Sequence, residues 1–212
     1  MTLQNTIEGV TAWAQAEICD GFTLKLPDDD ANDGAYSGET VTPTAFPCFV
    51  PAKDRLPPGV RAPIPSVCVQ ITDGKDDLVG GKRKVGIRLN LAIWNPGTHG
   101  AEIMAPTSDA GQLGGKKYSA YTSEEALAAY TRNMDGWRGA WAFADRALSA
   151  LENAEFIAGL RLVKEAPDGI TFGPYKEDGK EWDFYPYWFL WIDFDLEAGP
   201  VHRAPDIYKD LL

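Results

Sequence analysis

The sequence predicts an α+β fold: an antiparallel sheet of about four to five strands, flanked by helices and interrupted by long loop insertions. Three observations predict it. Val85, Ile87, Leu89, Leu91 and Ile93 alternate with residues that include Lys84, Arg88 and Asn90, the clearest period-two pattern in the chain. Two other segments space their apolar residues three and four apart, as the buried face of a helix does. Finally, the stretch YPYWFLWIDFDLE, from Tyr185 to Glu197, is a dense run of rings that gives way to carboxylates at every second position. A length of 212 residues fits a single domain, 1–212, with long excursions.

Taken in order, Leu3, Ile7, Val10, Ala14 and Ile18 form a helical stripe with Trp13 beside it, ending before Asp20-Gly21. Residues 27–65 begin polar and continue through a proline run from Pro43 to Pro65, which predicts a proline-rich extended loop with short strand pieces. A loop of that length commonly has a binding or assembly role. Ser66 to Thr72 alternates Val67, Val69 and Ile71 as a strand, with Asp73-Gly74 starting its turn. The long strand from Lys82 to Trp94 ends at Asn95-Pro96-Gly97, where proline presets one dihedral and glycine tolerates a positive one.

Residues 97–122 are rich in glycine, serine and threonine and read as a mobile or interface insertion. Thr122 and Glu125 fit a capping box, predicting a short helix from Ser123 to about Arg132. A second helix starts near Asp135 and turns Trp137, Ala140, Trp141, Ala144, Leu148 and Leu151 toward the sheet. Leu160 and Leu162 mark another strand, Lys176 to Lys180 a charged turn, and Tyr187 to Glu197 the last strand.

That last strand has two faces. Trp188, Leu190, Ile192, Phe194 and Leu196 point one way and match the core face of the long strand. Tyr187, Phe189, Trp191, Asp193, Asp195 and Glu197 point the other way. The three rings need a cover, either a helix of the same chain or a neighbouring subunit, because aromatic residues concentrate at interface centres. An aromatic ligand platform is a third use. The three carboxylates stand about 6–7 Å apart along the strand, a spacing open to a divalent metal or to acid–base hydrolysis as well as to a solvated acidic face. Metal binding or hydrolysis needs a further ligand or a cleft, and the sequence offers no clear supplier.

Elsewhere the search for chemistry returns little. A formal charge of -11 repels DNA and anionic membranes, which argues against sequence readout by a basic face. The start MTLQNTIEGVTAW has no signal-peptide pattern, and there is no long uncharged apolar run. Cys19, Cys48 and Cys68 read as thiols in a reducing compartment, with one disulfide plus one free thiol left open. His99 and His202 are isolated loop residues, and no GxSxG elbow, phosphate loop or GxGxxG follows a strand. Asp28, Asp30, Asn32 and Glu39 approach calcium-loop spacing, but Asp33 stands where the sharp turn wants glycine.

The order of these elements resembles a known family. A leading helix precedes RKVGIRLNLAIW; then come DGWRGAWAFADRALSALEN, GLRLVKEA and EWDFYPYWFLWIDFDLE. This is similar to the tail terminator proteins of long-tailed bacteriophages, also called tail completion or minor tail proteins of the U type. The likeness spans roughly residues 67–197 and the leading helix. Head-tail connector and other neck proteins share a related organisation.

The resemblance implies a homo-oligomer, a hexameric ring that caps the tail tube, ends tube polymerisation and joins it to the head connector protein. It implies a place in the virion tail after assembly in the host cytoplasm, DNA that passes through without specific binding, no membrane partner, no cofactor and no catalysis. Tyr187, Phe189 and Trp191 are then the candidate subunit interface, and Asp193, Asp195 and Glu197 a candidate acidic surface or lumen. A divalent-metal-dependent hydrolase using Asp193, Asp195 and Glu197 is the alternative of another class. An interaction module that works through the loop 43–65 is the third.

Overall fold

A computed structural model describes residues 2–27, 39–77, 82–97, 104–107, 117–120, 136–165, 169–177, 179–181 and 184–198. The chain opens with helix α1 (Leu3–Ala14), whose N-terminus is capped by Thr2, the side chain of which accepts from Asn5 N at 3.2 Å. The helix then widens into a π turn, Gln15–Cys19. Strands β1 (Leu24–Lys25), β2 (Thr40–Val41), β3 (Thr44–Pro47), β4 (Ser66–Asp77) and β5 (Lys82–Trp94) follow. Next come β6 (Met104–Thr107) and β7 (Lys117–Ala120), helix α2 (Trp137–Asn153), and β8 (Phe156–Ile157) with β9 (Leu160–Val163). The chain then forms β10 (Thr171–Pro174), β11 (Lys176–Glu177), β12 (Lys180–Glu181) and β13 (Tyr187–Ala198).

The principal sheet has seven strands in the order β3-β4-β5-β13-β9-β8, with β10 also paired to β13. It is mixed, because β3 runs parallel to β4 while the other pairs are antiparallel. The expected α+β class stands, but the sheet is larger than four to five strands and not purely antiparallel. The extra strands are two to four residues long, too short to show a period, and β3 is delivered to its parallel place by the proline-rich segment.

β5 and β13 pair along their whole lengths, from Tyr187 opposite Trp94 to Ala198 opposite Arg83. On one face this register builds apolar rows such as Val67–Leu91–Leu190 and Val69–Leu89–Ile192. α1 and its π turn cover these rows through Val10, Ala14 and Ile18, and α2 through Ala140, Phe143, Ala144, Ala147 and Leu151, all buried. Each fully buried Leu, Ile or Phe contributes about 1.5–3 kcal/mol, so this single layer holds most of the stability.

Both helices differ in detail from their patterns. Leu3 is half exposed although it begins the α1 stripe, and it lines a groove beside Ile71 and Val85. In α2 the buried face is rotated: Phe143 and Ala147 are inside, while Trp137 is exposed and Trp141 and Leu148 are half-buried. Alanines let the helix approach the strands closely, and Phe143 fills the space against Phe22, their rings stacked 5.4 Å apart. Asp73-Gly74 is no turn, either. β4 continues to Asp77, with a bulge between Ile71 and Asp73, and pairs with β5 as a long hairpin arm.

The π turn does two jobs. The Gln15 amide accepts from Ala45 N at 2.8 Å and donates to Pro43 O at 3.4 Å, so one side chain takes the place of a neighbouring strand along the edge of β3. At the end of the turn, Arg146 of α2 donates to Ile18 O and Asp20 O, both at 2.8 Å, satisfying terminal carbonyls. The excursion after β5 leaves at Gly97 and returns at Gly136, where an added Cβ would lie 3.0 Å from Gly97 N. Within it, β6 and β7 form a separate hairpin. The helix expected at 123–132, His99, His202 and residues 28–38 of the calcium-like loop lie outside the described residues.

Candidate functional site

The helix-free face of the sheet is built by the alternate positions of the same strands. Its rows read Ser66–Ala92–Phe189, Cys68–Asn90–Trp191, Gln70–Arg88–Asp193 and Asp73–Gly86–Asp195 across β4, β5 and β13. The first half is therefore apolar and the second ionic, as expected for the two halves of β13. The register brings the six candidate residues onto one surface, and no helix among the described residues covers it.

The apolar half forms a groove of about 540 Å³. Its floor is set low by the small side chains of Cys68 and Ala92, and its walls are rings. On one side stands Phe49, 69% exposed, held beside Cys48, whose N–H bonds to Val69 O at 2.8 Å. On the other stand Tyr175 and Phe184, at 45% and 41%. Phe184 meets Phe189 edge-on at 5.5 Å and Tyr175 at 6.1 Å, so the rings form ridges with slots between them. Tyr187 stands exposed at the strand's beginning.

Trp191 is already engaged within the subunit. Its indole leans over Gly173, where a Cβ would come within 3.3 Å of the ring, and its Nε1–H donates to Pro174 O at 3.0 Å. The guanidinium of Arg88 lies 5.3 Å from the ring centroid. The aromatic row thus has a partial internal cover made by loops and β10. Phe49, Tyr175 and Phe184 were not legible as site residues, because each comes from a connection without periodicity.

The carboxylate row finds its partners on the next strands. Arg88 forks onto Asp193, Nε to Oδ1 and Nη2 to Oδ2, both at 2.7 Å. Lys84 reaches Asp195 at 3.0 Å, while Glu197 takes Arg161 at 3.4 Å and Lys82 at 3.9 Å. The hydrogen bond that Arg88 donates to Asp193, with burial opposing it and the carboxylate charge aiding it, raises the Arg88 pKa above its ordinary value. The row is therefore a ladder of cross-strand ion pairs. Each half-exposed pair contributes only about 0–1 kcal/mol, but together they fix the register, since a one-residue slip would put every charge on the wrong face.

The clue to these partners was present in the sequence, because Lys84 and Arg88 occupy the polar face of the long strand. What was missing was the pairing of that strand with the last one. Glu39 of the calcium-like loop pairs with Arg61. Among the described residues, no three His, Cys, Asp or Glu side chains converge as a metal-binding group, and no helix is long and apolar enough to cross a membrane. Cys19 and Cys68 are buried and Cys48 exposed, all three as free thiols. Burial pushes the Cys19 thiol up to about 12, with Asp20 adding to the effect, and the Cys68 thiol up to about 11.

Compared with known proteins, the sequence matches no protein-family model and no curated protein.

Proposed function

We propose that this chain is a structural subunit of a phage or prophage tail, forming a ring that caps the tail tube, ends its growth and joins it to the head connector. The observation that carries this reading is a sheet that, among the described residues, has helices on one face only. Two helices seal one side, while the other presents a groove walled by Phe49, Tyr175 and Phe184. The neighbouring subunit of the ring is its occupant. Exposed rings beside a small-residue floor suit a contact that forms on assembly, with the charge ladder as its polar border.

A contact confined to this one groove is weak on its own. Ring closure multiplies it, since the last subunit binds at two sides at once. Subunits therefore do not close a ring until the end of a finished tube gathers them, which makes termination follow completion. The hydrolase alternative gains no support from Asp193, Asp195 and Glu197, whose oxygens face Arg88, Lys84, Arg161 and Lys82.

The test mixes purified protein with polymerising tail tube protein and images the products by negative-stain electron microscopy. Capped tubes that stop growing are expected, with a Phe49→Ser/Phe184→Ser variant folded but unable to cap. Tubes that grow equally with and without the wild-type protein would remove this reading.

A further inference from the structure

The principal sheet has one edge left open. β3 pairs with β4 only over Ser66–Val69, so the outer edge of β4 from Ile71 to Asp77 has no strand beside it among the described residues. The other edges are short or blunted: β3 carries Pro47 and the Gln15 amide, and β10 ends in Pro174. The β4 arm lacks proline, and its backbone groups point outward at alternate residues.

The charges on the arm are not equivalent. Asp76 pairs with Arg83, Lys82 with Glu197 and Lys84 with Asp195. Asp73 and Lys75, two residues apart and so on one face, have no ion-pair partner among the described residues. Lys75 instead stands opposite Lys84 on β5, and Asp73 lies over Gly86 beside Asp193 and Asp195. Each of the two is set beside charge of its own sign.

We infer that the β4 edge takes the same edge of a second copy of this chain, antiparallel, about a two-fold axis at Gly74. That register sets Asp73 of each copy opposite Lys75 of the other, with Gly74 facing Gly74. A lone lysine on an edge strand repels its own copy and protects the edge; the sequence Asp-Gly-Lys turns the same charge into a self-complementary pair. On the core-facing side, a groove of about 440 Å³ runs beside Gly74, lined by Leu3, Ile71 and Val85. Across the axis the two grooves run into one another, so the half-exposed Leu3 gains apolar company.

This contact lies away from the aromatic groove and does not depend on the ring. An isologous pair cannot be the ring contact, which is head-to-tail. It is a state of free subunits, and it hides the open edge until assembly.

The experiment is sedimentation velocity on the full chain over a range of concentrations, with circular dichroism as the check on folding. Wild-type protein is expected to show reversible dimerisation. Lys75→Asp, which sets two acids opposite each other twice, should weaken the dimer at least about tenfold. The exchanged variant Asp73→Lys/Lys75→Asp restores opposite charges in the same register and should restore most of the affinity. A wild-type protein monomeric throughout, an unaffected Lys75→Asp dimer, or an exchanged variant as weak as the single one would each overturn the inference. None of these outcomes bears on whether the protein caps tubes.

Discussion

Gly136→Ala should destabilise this protein far more than a surface glycine change normally does. Gly136 has φ −56° and ψ −25°, a conformation open to any residue, so the whole effect is steric. A Cβ there would overlap the backbone carbonyl of Asn95, and that carbonyl has no room to yield. It accepts from Trp188 Nε1 at 2.8 Å, while Asn95 N donates to Pro186 O at 2.9 Å and Asn95 Oδ1 accepts from Gly97 N at 3.0 Å. Relieving the overlap breaks one or two of these bonds, at about 1 kcal/mol each, and displaces the start of α2 for a further 1–2. The expected loss is about 2–4 kcal/mol, or a fall in Tm of about 5–12 °C for a chain of this size.

Gly139→Ala is the control. Its Cβ would meet the Asn95 side-chain Nδ2 at 2.8 Å, an amide that can swing aside by giving up its bond from Gly97 N, a loss that alanine's better helix propensity offsets. It should change stability by no more than about 1 kcal/mol. Thermal and urea unfolding followed by circular dichroism read both variants. Equal stability of Gly136→Ala and Gly139→Ala would refute the close approach of α2 to the Asn95 turn.

Four further outcomes follow from the same structure. In a double-mutant cycle, Arg88→Met and Asp193→Asn should show a coupling of about 1 kcal/mol, modest because the pair is half exposed, measured by urea denaturation. At pH 8, iodoacetamide should label Cys48 alone, as read by mass spectrometry. Because folding raises the thiols of Cys19 and Cys68 from 9.0 to about 12 and about 11, the stability they contribute is complete below pH 9. It is lost as the pH climbs toward 11–12, so the urea midpoint should drop over that window and drop less in Cys19→Ala. Replacing residues 98–135 with a short Gly-Ser linker should leave cooperative unfolding intact, because Gly97 and Gly136 already meet.

The long strands were legible because each has one face in the core and one in solvent, which writes a period of two into Val85–Ile93 and Trp188–Leu196. From the same alternation came the placement of Tyr187, Phe189, Trp191 and the three carboxylates on a common face. Elements whose existence depends on partners were not legible in place: short strand pieces were expected within 27–65, but not where or beside which strand. β3, β8 and β10 are strands only because β4, β9 and β13 offer them hydrogen bonds. Phe49, Tyr175 and Phe184 reach the groove through turns, where spacing says nothing about direction. The face of α2 was legible in part: Ala140, Ala144 and Leu151 are buried as expected, but Phe143 and Ala147 are inside where Trp137, Trp141 and Leu148 were expected, because small alanines bring the helix close to the strands.

The most direct measurement of the central claim is oxidative footprinting of the aromatic side chains, comparing free subunits with subunits bound at tube ends. If the helix-free face is the surface that closes the ring, Phe49, Tyr175 and Phe184 should become protected, while Trp137 on α2 keeps its reactivity. Unchanged labelling of the three groove rings, with protection confined to Trp137, would contradict it.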